Sequence, residues 1–284
     1  MDSEIDDIEL ALLLEAIHRR YHYDFRSYAA PSIKRRLIRA KERLGCRSFS
    51  MLQDRVLHEP DVLPILLDAL TIRVSEMFRD PEYFRALREK VVPHLRTYPT
   101  LKVWVAGCAN GEELYSLTIL FREEGLEERT IFYATDVNPN ARRCAEAGIY
   151  ELDRVPLFTQ NHRASGGRSS LSDYYTAAYG AAVFDKSLRA RTVFSDHSLV
   201  SDEVFAEVQL VSCRNVLIYF DRLLQERAIR LFKQSLGHGG FLGLGSKETL
   251  SFSSHAGDFV PFDRQACIWR RTFASSVTDK SYVR

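Results

Sequence analysis

Up to residue 92 the apolar positions recur every three or four places, the period of amphipathic helices. Within 8–21, Leu10, Leu13, Leu14 and Ile17 fall on one face. A helix over 33–44 turns Ile33, Leu37, Ala40 and Leu44 inward, with Ser32 as its cap and Gly45 as its stop signal. Further helices fit 48–57, 60–70 and 80–90, and no strand pattern interrupts them. Residues 1–92 therefore read as an all-helical unit.

Residues 93–284 follow a different grammar. Short apolar runs at 101–106, 130–135, 207–212 and 240–244 read as strands, separated by amphipathic helices at 112–124, 138–147 and 222–236. Such alternation predicts an α/β fold with a doubly wound, mostly parallel sheet. Two apolar-rich runs within 259–272 suit an antiparallel hairpin on its edge. Residues 150–195 break the alternation, with a loop-like 164–170 and then an aromatic stretch at 174–184, and read as an inserted subdomain. The junction 71–80 is polar at alternate positions. This predicts an extended linker with Arg73, Ser75 and Arg79 along one side, although both arginines also read as solvated charges.

The chemistry gathers where strands end. At 103–116 a buried strand runs into a turn bounded by Gly107 and Gly111, then into a helix opening with Glu112 and Glu113. A turn of this kind builds a crevice at the carboxyl edge of a sheet, where backbone approaches a nucleotide-like ligand closely. The spacing is neither the dinucleotide fingerprint nor a P-loop. Two first-turn carboxylates would repel a pyrophosphate but suit a ligand with hydroxyls and a positive centre, such as S-adenosyl-L-methionine (SAM). One acid is explained by the helix dipole; the pair favours a ligand contact by Glu113. Asp136 ends the second strand, where a carboxylate accepts hydrogen bonds from a ribose diol, or caps the following helix. The last polar cluster, Cys213, Arg214 and Asn215, reaches the same edge. Tyr219 follows it in an apolar setting and, taken alone, reads as packing.

Composition narrows the class. The formal net charge of +1 gives no overall pull toward nucleic acid, and no aromatics interleave with the bases of helix 33–44. The five cysteines are odd in number and never form a C-x-x-C pair, which predicts no disulfide framework and no zinc site. No apolar run reaches the roughly 18 residues of a membrane span, and the acidic N-terminus is unlike a secretory signal. A cytoplasmic monomer without metal is expected. Charge is nevertheless uneven: residues 1–15 hold six acids and no base, whereas 19–47 hold ten Lys or Arg against two acids. The bases Lys34, Arg35, Arg36, Arg39, Lys41 and Arg43 surround the apolar stripe of one helix and are expected to dock an acidic partner.

Together, the stretches 71–80, 104–116, 134–150, 172–184, 194–199, 212–221 and 239–250 resemble the CheR-type chemoreceptor glutamate methyltransferases. The resemblance implies a helical N-terminal domain, a SAM-binding α/β domain and a small inserted β-subdomain. It further implies transfer of methyl groups from SAM to glutamates in a chemoreceptor's cytoplasmic bundle, leaving S-adenosyl-L-homocysteine. Carried over by position, the cofactor contacts are Arg73, Ser75, Arg79, Glu113, Asp136, Ser198, Leu199, Cys213 and Arg214, with Arg79 and Tyr219 nearest the transferred methyl. The basic helix matches the family's receptor-docking helix. The chain departs from the common pattern with Arg73 for Asn, Asn110 for Thr and Ser198 for Asn. Those departures motivate a rival reading, a non-catalytic SAM-sensing or adaptor protein. The stretch 172–184 is closer to relatives associated with hybrid sensor kinases, so the expected acceptor is a chemoreceptor or a sensor kinase.

Overall fold

A computed structural model describes residues 2–71 and 75–272. Helices α1 (Asp2–Tyr21), α2 (Ala30–Arg43), α3 (Phe49–His58) and α4 (Val62–Leu70) bury their predicted stripes against one another, around Leu13, Ile17, Leu37, Leu52 and Leu66. Ser48 caps α3 by accepting from the Met51 N–H at 3.1 Å. By contrast, α2 begins earlier than its pattern predicts. Pro31 sits in its first turn, where a missing N–H costs nothing. Ser32 thus lies inside the helix instead of capping it, and its hydroxyl accepts from Arg36 at 3.0 Å.

Beyond the linker, α5 (Pro81–Ala86), a π-helical turn (Leu87–Val91) and α6 (Val92–Leu95) form one continuous stretch packed on the sheet. The sheet is assembled from β1 (Leu101–Ala106), β2 (Thr130–Thr135), β6 (Thr192–Ser195), β7 (Val208–Cys213), β8 (Leu236–Leu244), β9 (Phe259–Asp263) and β10 (Ile268–Arg271), with spatial order β6-β2-β1-β7-β8-β10-β9. The first five in that order are parallel, and β10 and β9 close the edge as the predicted antiparallel hairpin. Helices α7 (Glu112–Glu123), α8 (Pro139–Ala147) and α10 (Arg222–Ser235) occupy the predicted positions. Between α8 and β6, α9 (Val155–Ala164) accompanies a small antiparallel sheet of β3 (Ile149–Glu151), β4 (Tyr175–Ala178) and β5 (Ala181–Phe184), in the order β3-β5-β4.

Two further local features differ from the sequence reading. The expected insertion over 150–195 ends inside the main sheet, because Thr192–Ser195 pairs with β2 as its edge strand. A four-residue edge strand of half-buried and exposed positions carries too little apolar signal to stand out. Likewise β8 starts at Leu236, ahead of the predicted 240. Its glycine-rich first half carries a register shift opposite β7, as glycine in a strand often does.

Candidate cofactor site

Strand order reverses between β1 and β7, since β1 continues to β2 on one side and pairs with β7 on the other. Ligands of open α/β sheets bind at such a switch point, beyond the carboxyl ends of the strands. Here the turn after β1 is shaped by its glycines. Gly107 has φ +72°, and a Cβ on it would lie 2.7 Å from Val216 in the loop after β7. Gly111 has φ +93° and leaves no room for a Cβ against Ala145 of α8, so α7 and α8 pack closely. The resulting cleft holds roughly 890 Å³ of free space, the open solvent at its mouth included. Arg36 of α2, Leu70 of α4 and the described linker residues Thr71, Ser75 and Arg79 roof it; the strand ends floor it.

Asp136 lies at the end of β2 and lines the cleft. It does not cap α8. Asn138 does, accepting from the Asn140 and Ala141 N–H groups at 2.8 and 3.3 Å. Asp136 instead receives the Ala109 N–H at 3.0 Å on one oxygen and the Asn138 N–H at 2.8 Å on the other. Each oxygen keeps a further lone pair. Burial raises its pKa despite those two donors.

The two glutamates of α7 part company. Glu112 is fully buried and lies 3.0 Å from Arg154, which itself sits over the Phe158 ring. Glu113 lines the cleft, accepts from the Ser212 hydroxyl at 2.7 Å and lies 3.5 Å from Arg214. Burial raises the Glu113 pKa, and Arg214 only partly offsets it. Ser212 in turn meets the Tyr83 hydroxyl at 2.7 Å, so a hydrogen-bonded chain fixes the carboxylate from behind. Arg214 stacks over the Tyr83 ring at 4.2 Å and donates to the Arg79 carbonyl at 2.9 Å and to Asp80 at 2.7 Å. It thereby ties the linker to the end of β7.

Of the residues singled out in the sequence, Ser75, Arg79, Glu113, Asp136, Leu199, Arg214 and Tyr219 line this cleft. Three do not. Ser198 lines an adjoining cavity, its hydroxyl accepting from the Val200 N–H at 3.2 Å. Strand alternation turns Cys213 away from Ser212, into the apolar layer with Leu217, Phe232 and Leu244. Arg73 lies outside the described residues.

The six bases expected to form one docking face are also divided. Arg35, Arg39 and Arg43 are exposed at intervals of four along α2. Lys34 pairs with Asp7 at 2.6 Å, and Lys41 lies 4.6 Å over the Phe49 ring. Arg36 turns inward. It lines the cleft, donates to the Leu70 carbonyl, and stacks 4.6 Å over the Tyr219 ring. The helix wheel sets it at the edge of the apolar stripe, and an aromatic ring from the distant β7 loop draws it in. Sequence reasoning also missed Tyr28 and His197 as lining residues. His197 packs edge-on against Trp104 at 5.1 Å, and its ring nitrogen lies 3.1 Å from the Glu203 carbonyl.

Residues 73–266 match the family model described as CheR methyltransferase, SAM binding domain, and residues 8–71 match that of the CheR methyltransferase all-alpha domain. The chain belongs to the CheR methyltransferase family. Among its relatives, a Pseudomonas putida protein named "Putative methyltransferase Cher3" is 54% identical over 94% of this chain and 97% of its own length. A Rhodobacter capsulatus protein named as an uncharacterized 104.1 kDa protein is 32% identical over 95% of this chain and 28% of its own length. A chemotaxis protein methyltransferase of Listeria monocytogenes is 27% identical over 87% of this chain and 92% of its own. As a CheR-family methyltransferase, the protein takes SAM as its cofactor, and the cleft fits it. Buried carboxylates with spare lone pairs suit hydroxyls and an amino group, while Leu70, Val137, Leu199 and Phe220 supply apolar walls. Among the described residues, no helix is long and apolar enough to cross a membrane.

Proposed function

We propose that this CheR-family protein transfers the SAM methyl group to glutamate side chains of a chemoreceptor's cytoplasmic segment, forming methyl esters. The reading is carried by the polarity of the cleft. On the sheet side stand the carboxylates Glu113 and Asp136 and one cation, Arg214, which is already paired with Asp80 and Glu113, whereas Arg36, Arg79 and the Tyr219 hydroxyl come from the roof and the β7 loop. A cationic cofactor and an anionic acceptor each find opposite charge there.

In this reading Ser75, Arg79, Glu113, Asp136, Leu199 and Arg214 hold the cofactor. Bound there, it supplies an electrophilic methyl on a positively charged sulfur. A glutamate carboxylate is already ionised near pH 7, so the site needs no general base to activate it. Arg79 and the Tyr219 hydroxyl, both lining the cleft, would hold the acceptor carboxylate by hydrogen bonds and aim one of its oxygens at the methyl that the cofactor would supply. Arg36 holds the Tyr219 ring in place. The apolar walls keep water from competing for the same carbon. Outside the cleft, the exposed stripe of Arg35, Arg39 and Arg43 suits an acidic helix.

The test is incubation with methyl-labelled SAM and cytoplasmic fragments of chemoreceptors, followed by mild alkali. Label released as methanol supports glutamate esters. No transfer, or label that survives alkali, refutes the reading.

A further inference from the structure

Close in the chain to the cleft-lining Tyr219 and Phe220, and on the loop hydrogen-bonded to that segment, are apolar side chains that the described chain leaves uncovered. Leu223, in the first turn of α10, is 81% exposed, and Phe252, in the loop after β8, is 76% exposed. Ile218, next to Tyr219, is exposed too. Isolated apolar residues on a surface are ordinary, but a shared patch marks an interaction site. Hydrogen bonds hold these segments together. Glu248 accepts from the Asn215 and Ile218 N–H groups at 3.0 and 3.3 Å, and the Ser254 N–H donates to Glu226 of α10 at 3.0 Å. The loop carrying Phe252 is thus pinned to both the Ile218 turn and α10.

The exposed charge around this rim has one sign. Arg222 and Lys247 are exposed, while the acids of 215–226 and 245–254, Asp221, the partly exposed Glu226 and Glu248, are each held by hydrogen-bond donors of this segment. Asp221 caps α10 through the Leu224 N–H at 2.8 Å, and Glu248 is buried. Helix α2, whose Arg36 lines the cleft, presents exposed Arg35 and Arg39. Its N-terminal end is joined to the rim by the Ala29 N–H on the Tyr219 carbonyl at 2.9 Å and the Asp221 N–H on the Ser27 carbonyl at 3.0 Å. An apolar rim with cationic flanks complements a segment that is apolar and acidic.

We propose that Ile218, Leu223 and Phe252 seat the methyl-accepting segment itself, an acidic amphipathic helix. Its apolar side chains, one turn from the reacting glutamate, lie on the rim, and its remaining carboxylates face Arg35, Arg39, Arg222 and Lys247. Residues three or four apart share a helix face, so one helix satisfies both requirements. This rests on the glutamate-ester reading and deepens it: the acceptor is selected by its apolar neighbours as well as by charge.

The experiment uses the full chain saturated with S-adenosyl-L-homocysteine and two labelled helical peptides. Both carry a central glutamate in an acidic sequence; one has leucines a turn to either side and the other has serines there. Fluorescence anisotropy should show wild type preferring the leucine peptide about tenfold or more. The double variant L223S/F252S should lose that preference, binding both peptides equally, with melting temperature and SAM affinity unchanged. Because both positions are exposed, the substitutions leave the core intact; the single variant F252S, in a loop, should lose part of the preference. No preference in wild type, or its full survival in the double variant, overturns the proposal. A preference lost in the variant, without alkali-labile methylation of the leucine peptide by wild type, supports the rim as a docking surface and refutes the ester reading instead.

Discussion

Replacing Glu113 by Gln removes one buried charge while keeping the shape of the side chain. The Ser212 hydroxyl, 2.7 Å away, retains an oxygen to donate to. Arg214, 3.5 Å away, keeps Asp80 at 2.7 Å and the Arg79 carbonyl at 2.9 Å, so no buried cation is stranded. Because burial holds the carboxyl above its ordinary range, the neutral amide also escapes a desolvation penalty. Stability should therefore change by no more than about 1 kcal/mol. Cofactor affinity should not be spared. A hydrogen bond between a carboxylate and a cationic amino group is worth about 1.5–3 kcal/mol, or roughly ten- to hundredfold in Kd. Calorimetric titration with SAM and S-adenosyl-L-homocysteine reads that loss, and a thermal melt run beside it excludes unfolding. The pH dependence has a definite sign. With the folded-state pKa raised, Glu113 takes up its proton at a higher pH than in the unfolded chain. Its contribution to stability is thus greatest below the ordinary carboxylate range and is lost as pH rises through the raised value. Wild-type affinity for the cationic ligand runs the other way, falling as pH drops toward that value, and E113Q should show no such fall. A SAM Kd within about twofold of wild type would mean that Glu113 merely balances Arg214.

Three further outcomes follow from the geometry. Gly111→Ala forces a side chain into a left-handed position against Ala145, costing about 2–5 kcal/mol in strain and overpacking; a melting temperature unmoved from wild type would contradict this. Tyr219→Phe should lower kcat on a verified acceptor about tenfold or more while leaving SAM affinity alone; full turnover would remove the hydroxyl from the mechanism. Glu123 is buried, which by itself would raise its pKa, but hydrogen bonds from His162, Arg88 and Ser169 hold it down at about 2 against 4.5 for the free side chain. It should therefore contribute about 3 kcal/mol at neutral pH, lost as pH falls from the ordinary range toward 2. Urea melts of Glu123→Gln should show that acid dependence flattened, and an unaltered profile would refute the assignment.

Local patterns by themselves determined much of this molecule. Helix stripes such as Leu10, Leu13, Leu14 and Ile17, and the strands ending at Ala106 and Thr135, are legible because apolar spacing and glycine turns are properties of neighbouring residues. For the same reason Glu113 and Asp136 were readable: a strand, a turn and a helix start occupy consecutive positions. The tertiary structure alone decided which polar groups are spent on other contacts. Asn138 takes the cap that the pattern also offered to Asp136, and Arg154 occupies Glu112. Tyr219 draws Arg36 out of the docking face and into the cleft. Strand alternation hides Cys213, and a local turn consumes the Ser198 hydroxyl. The edge strand Thr192–Ser195 exists only because β2 offers it a partner. In each of these cases the deciding neighbour is set by chain topology and packing, and a helical or strand period carries no information about residues that meet only after folding.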